Sequence, residues 1–160
     1  VCGGEFVDSG MITSPNYPAE YPPGKKCSWK ITVKEEFIVV LRFKYFKVQK
    51  HRNCTYDYVA VYDGPTEASP LLGKHCGNRK PKPIKSSGNT MYVKFVSDES
   101  RQKVGFSASF VPASCGGEFV GSGVIASPDF PAEYLPGKNC SWKITVKEGF
   151  IVVLEFRFFQ

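Results

Sequence analysis

The sequence predicts an all-β fold, a disulfide-pinned antiparallel β-sandwich followed by a shorter second copy of the same unit. Three observations carry this. Apolar and polar residues alternate with a period of two along most of the chain. Turn signals separate those runs at short intervals. Cysteines recur inside an internal repeat.

The strands follow in order. In 27–33, Cys27, Trp29, Ile31 and Val33 share one face, and Ser28, Lys30 and Thr32 share the other. In 39–45, Val39, Leu41, Phe43 and Tyr45 are expected inward, alternating with Val40, Arg42 and Lys44. Val59 and Val61 continue the pattern, then Met91, Val93 and Phe95, then Phe106, Ala108 and Phe110. Between them lie Ser14-Pro15-Asn16-Tyr17-Pro18, Pro22-Pro23-Gly24, Asp63-Gly64-Pro65 and Ser86-Ser87-Gly88-Asn89, all turn chemistry. No segment offers a capped helical pattern of three turns. The longest apolar runs, Phe37–Leu41 and Phe150–Leu154, are strand-sized, far short of the roughly 20 residues of a membrane span.

Composition excludes several classes. A hydrophobic fraction of 42% is too high for a disordered chain, and 15 Gly without a G-X-Y period exclude collagen. Six Cys in 160 residues point to an oxidising, extracellular compartment and a secreted product. With two His and no C-x-x-C, a zinc site lacks ligands. The chain starts at Val1 and shows no signal peptide, so it reads as a mature product or an excised fragment. A net charge of +6 permits an acidic partner and equally a solvated surface.

The repeat has an offset of 113 residues. Cys2-Gly3-Gly4-Glu5-Phe6-Val7 returns as Cys115-Gly116-Gly117-Glu118-Phe119-Val120, and Cys27-Ser28-Trp29 as Cys140-Ser141-Trp142. About 34 of 46 aligned positions are identical, so the period is that of a whole domain. A complete domain is expected over 1–113 and the N-terminal portion of a second, truncated one over 114–160. That portion would lack the strands facing its core and is expected not to fold stably alone. Its apolar strand 150–159 would be an exposed edge. Four Cys in the first unit permit three pairings. Sequential pairing, Cys2–Cys27 and Cys54–Cys76, closes two modest loops without crossing. The joint return of Cys115 and Cys140 supports the first.

These residues resemble the CUB domain family. The matching pattern runs through Cys2-Gly3-Gly4, Ser14-Pro15-Asn16-Tyr17-Pro18, Tyr21-Pro22, Cys27-Ser28-Trp29, Cys54-Thr55-Tyr56-Asp57, Val61-Tyr62-Asp63-Gly64, Cys76-Gly77, Ser97-Asp98 and Gly105-Phe106. The stretch 21–41 is most similar to the tandem CUB modules of procollagen C-proteinase enhancers. The resemblance implies a jellyroll-like antiparallel β-sandwich with the two bridges above. It also implies a Ca²⁺ site at one end. The family's two aspartates fall on Asp57 and Asp98, but its glutamate falls on Gln49, a neutral oxygen in place of a carboxylate. Ca²⁺ gains affinity with ligand charge, so a weaker site is expected. The alternative is that both aspartates only bond backbone N–H groups of their loops. The same resemblance assigns Tyr17 to partner binding beside the site, against a bland reading as a packed strand-end aromatic.

Two basic clusters remain. Lys44, Lys47, Lys50, His51 and Arg52 form one; Arg79, Lys80, Lys82 and Lys85, threaded by Pro81 and Pro83, form the other. Proline keeps the second extended, so it is a candidate for heparan sulfate, against an ordinary solvated loop. Asn53-Cys54-Thr55 and Asn139-Cys140-Ser141 are N-glycosylation sequons with Cys in the middle, where disulfide formation competes with glycan transfer. His51 and His75 lie near no catalytic motif, and no enzyme is expected. Nucleic acid is a poor partner for a secreted disulfide domain. The expected function is a non-catalytic module of a larger secreted protein that binds an extracellular protein, with Ca²⁺ assisting, as in an enhancer of procollagen processing. The alternatives are the substrate-recognition region of a tolloid-like or serine-type secreted protease, and a spermadhesin-like glycosaminoglycan binder.

Overall fold

The computed structural model describes residues 2–35, 37–113, 116–128, 130, 133–134, 136–137 and 139–160. The chain divides into two compact units, Val1–Ala113 and Ser114–Gln160. Among the described residues every regular element is a strand.

The first unit holds nine strands: β1 (Gly4–Val7), β2 (Gly10–Thr13), β3 (Lys26–Thr32), β4 (Ile38–Lys47), β5 (Tyr58–Tyr62), β6 (Leu71–His75), β7 (Ile84–Lys85), β8 (Thr90–Val96) and β9 (Gly105–Ala113). They form a five-stranded sheet of order β1-β3-β8-β5-β6 and a four-stranded sheet of order β2-β9-β4-β7. Pairing is antiparallel except that β1 runs parallel to β3. The period-two pattern is why one core suffices: Trp29, Ile31, Val59, Val61, Met91, Val93 and Phe95 from one sheet meet Ile12, Val39, Leu41, Phe43, Phe106, Ala108 and Phe110 from the other. Aromatic edges lock the interface, with Trp29 and Phe95 both against Phe106 at 5.7 Å. Disulfides join Cys2 to Cys27 across β1 and β3, and Cys54 to Cys76 between the loops flanking β5 and β6.

One inward residue differs from the sequence expectation. A bulge between Phe43 and Tyr45 shifts the register of β4 against β9. The added residue flips the phase of the alternation, so Phe46 takes the buried place and Tyr45 stays 39% exposed.

A loop–strand lock closes the core near β9. Ser14 Oγ accepts from the Phe106 N–H at 3.0 Å. Gly105 stands at φ +92°, and a Cβ there would collide with that hydroxyl, so the missing side chain makes room for the bond.

The second unit contains β10 (Gly116–Val120) and β11 (Ser141–Thr145), a parallel pair in the register of β1 with β3. The expected strand over 150–159 is not formed: 151–160 carries no strand and every residue in it is exposed. The physical reason is pairing. In the first unit β4 is held by β9 and β7, whereas no described strand pairs with 151–160, and an isolated strand has no hydrogen-bond ladder. Cys140 is disulfide-bonded; Cys115 lies outside the described residues.

Candidate functional site

The loop between β4 and β5 and the loop after β8 converge at one end of the first sandwich. They carry Gln49, Asp57 and Asp98. Asp57 is fully buried, yet it is accounted for: Oδ2 accepts from the Tyr21 hydroxyl at 2.6 Å, and Oδ1 from the Asp98 N–H at 2.7 Å. The Tyr21 oxygen in turn accepts from the Gln49 N–H at 3.2 Å. One phenol from the loop between β2 and β3 therefore holds both ends of the β4–β5 loop, and Asp57 ties in the loop after β8. Asp98 Oδ1 accepts from the Ser100 N–H at 3.1 Å, closing its own turn. Burial raises the Asp57 carboxyl above its ordinary value; bonds from Tyr21 and the Asp98 N–H oppose this, and the Asp98 carboxylate adds to it. Burial also raises the Tyr21 phenol, helped by Asp57, so Tyr21 stays a donor.

The side-chain oxygen of Gln49 is different. It is buried and has no hydrogen-bond partner. A buried acceptor left unpaired costs about 1–3 kcal/mol, so it marks a place where a donor or cation belongs. Two carboxylates that repel each other and an unpaired amide oxygen fit a hard cation. Among the described residues no group of three or more His, Cys, Asp or Glu assembles, so such a cation would rest on two carboxylates and neutral oxygens.

Tyr17 is half-buried against Tyr45, with ring centroids 5.9 Å apart, in the loop after β2. The tyrosine that touches Asp57 is Tyr21, which period-two reasoning missed because it lies in a loop where alternation carries no signal.

The two basic clusters partly meet. An isolated bridge between Val48 and Gly77 brings the ends of β4 and β6 together. Lys50, His51 and Arg79 then line one open cleft of about 630 Å³ over the Cys54–Cys76 disulfide. His51 positions this loop: its Nδ1 accepts from the N–H groups of Asn53 and Thr55, and its ring packs 4.2 Å from Tyr56. Asn53 is exposed on the same loop, and Asn139 is exposed in the second unit. Lys80 and Lys82 are solvent-exposed beyond the cleft, and Lys85 lies apart, in β7 beside Val40. His75 is on the inner face of the edge strand β6, its Nε2 buried and unpartnered among the described residues, which depresses its basicity.

Comparison with known proteins agrees with this architecture. Human tolloid-like protein 1 is 37% identical over the whole of this chain and 20% of its own length. Human neuropilin-2 is 39% identical over 99% of the chain and 18% of its own length. The chain thus spans about a fifth of the curated relatives it matches. Among solved structures, the full extracellular region of zebrafish Gpr126/Adgrg6 superposes with TM-score 0.64 at 36% identity, covering 71% of this chain and 15% of that one. The MASP-1 CUB2 domain bound to Ca²⁺ superposes with TM-score 0.61 at 34% identity, covering 69% of this chain and 99% of that one. The CUB domain profile, a non-catalytic module, matches residues 2–110 and 115–160. The chain belongs to the CUB domain family.

Proposed function

We propose that this chain is an extracellular, non-catalytic recognition region whose first unit binds a protein partner at the end carrying Asp57, Asp98 and Gln49, with Ca²⁺ held there. The observation that carries the reading is the unpartnered, buried Gln49 oxygen on loops already tied to two carboxylates. Bound Ca²⁺ would neutralise those carboxylates and fix the two loops that carry them. Asp57 and Asp98 would hold it with Gln49, and the remaining acidic character would face a lysine of the partner. An enhancer of procollagen processing is one form such a module takes, acting on a propeptide while a separate protease cuts.

Calorimetric titration of the chain with Ca²⁺ tests this. Saturable heat that disappears in Asp98→Asn supports the site. Absence of heat and of any thermal shift at millimolar Ca²⁺ rejects it.

A second reading is the substrate-recognition region of a secreted protease. Similarity to tolloid-like protein 1 across the whole chain favours it. Finding a protease domain on the same polypeptide decides between the two. Heparan sulfate binding at the Lys50–Arg79 cleft and the 79–85 loop is compatible with either and rests on the convergence of cations there.

A further inference from the structure

Strand register creates a surface that the linear sequence conceals. On the outer face of the five-stranded sheet, Lys30, Tyr92 and Tyr62 line up across β3, β8 and β5. The neighbouring row places Lys94, Ala60 and Lys74 across β8, β5 and β6. Ala60 lies between the two lysines, covered by its neighbours, and the lysines' strands are two apart, or about 10 Å. The Lys74 ammonium sits over the Tyr58 ring at 4.1 Å, and the Tyr62 and Tyr92 rings are 6.1 Å apart. Two carboxylates border the face. Glu67 pairs with Lys94 at 2.9 Å, and Glu5 neighbours Lys30 in the parallel β1–β3 register. Lys26 lies on the same face, so four lysines oppose two acids. At its far end β6 leads from Lys74 through Cys76 to the cleft of Lys50 and Arg79.

We propose that a sulfated glycosaminoglycan chain lies across this face, over the tyrosines and between Lys30, Lys74 and Lys94, and continues into the disulfide cleft. The chemistry matches on both counts. Tyrosine faces offer flat apolar area for the faces of sugar rings. Lysine ammoniums on flexible stems are point charges that adapt to irregular sulfate spacing. An open sheet face admits an extended polymer that a pocket would exclude. The placement rests on the glycan reading above and moves its main contact from the 79–85 loop to the sheet.

Heparin-resin elution and solution affinity for heparin test it, using the full 160-residue chain and two variants of equal charge change. One is Lys30→Gln/Lys74→Gln/Lys94→Gln; the other is Lys80→Gln/Lys82→Gln/Lys85→Gln. Circular dichroism and melting temperature verify that each folds. Wild type should elute above about 0.15 M salt. The face variant should lose about ten-fold in affinity and show a shallower salt dependence, and the loop variant should lose less. A face variant that binds like wild type, with the loop variant impaired, overturns the placement and leaves the glycan reading standing. Wild-type elution below physiological salt overturns both. Equal binding to desulfated heparin, or equal competition by polyglutamate, overturns the sulfated chain in favour of a generic or acidic-protein ligand.

Discussion

Tyr21 donates its hydroxyl proton to Asp57 across 2.6 Å while its oxygen accepts the Gln49 N–H. Tyr21 is also 1% exposed and edge-on to Phe95 at a centroid distance of 5.0 Å. The core thus grips the ring and the ring grips the loop carboxylate. Tyr21→Phe should keep the packing and strand one carboxylate oxygen in the interior. Equilibrium urea unfolding should show a loss of about 1–3 kcal/mol. An unchanged midpoint would mean that the bond contributes nothing.

The Gln49 position should set cation affinity. Gln49→Glu supplies a third carboxylate, and Ca²⁺ binding by calorimetry should tighten by about ten-fold. Binding must also expel any proton from Asp57, whose carboxyl is raised by burial. Affinity should therefore weaken on acidification through that raised value. A Glu variant no tighter than wild type would place the cation elsewhere.

His75 makes stability acid-sensitive. Burial lowers its folded-state basicity below the ordinary 6.5. Below 6.5 the unfolded chain takes up a proton that the native state resists. Its contribution is therefore present above 6.5 and is lost as pH falls toward and through the folded value. Wild type should lose more stability than His75→Leu between pH 7.5 and 5 in parallel denaturation curves. Equal losses would show that the imidazole is solvated in the native state.

Gly105→Ala should be strongly destabilising. It places a side chain at φ +92° and drives it into Ser14, breaking the bond to the Phe106 N–H. A cost of about 2–4 kcal/mol is expected from strain and the lost bond together, read from chemical denaturation. A change under about 0.5 kcal/mol would mean that the loop relaxes freely.

Removing the Cys2–Cys27 bridge, which closes a separation of 25 residues, should cost about 3 kcal/mol in the Cys2→Ala/Cys27→Ala variant. Full retention of the melting temperature would show that the β1–β3 ladder alone fixes that edge.

The sequence by itself determined the all-β class, the repeat and nearly the whole core. Period-two alternation is a local property, so Trp29, Ile31, Val93 and Phe110 declare their face without knowledge of their neighbours. It also nominated Asp57, Asp98 and Gln49 from spacing against a family pattern. Tertiary structure decided the rest. The β4 bulge turned Tyr45 outward in favour of Phe46, because register depends on the partner strand. The absence of a pairing strand among the described residues left 151–160 irregular despite a strand-forming sequence. Tyr21 met Asp57, because loop placement follows from chain closure and leaves no periodic trace. The lysine–tyrosine face exists only once β3, β8, β5 and β6 lie side by side: Lys30 and Tyr92, far apart in the sequence, become direct partners through hydrogen-bonded register.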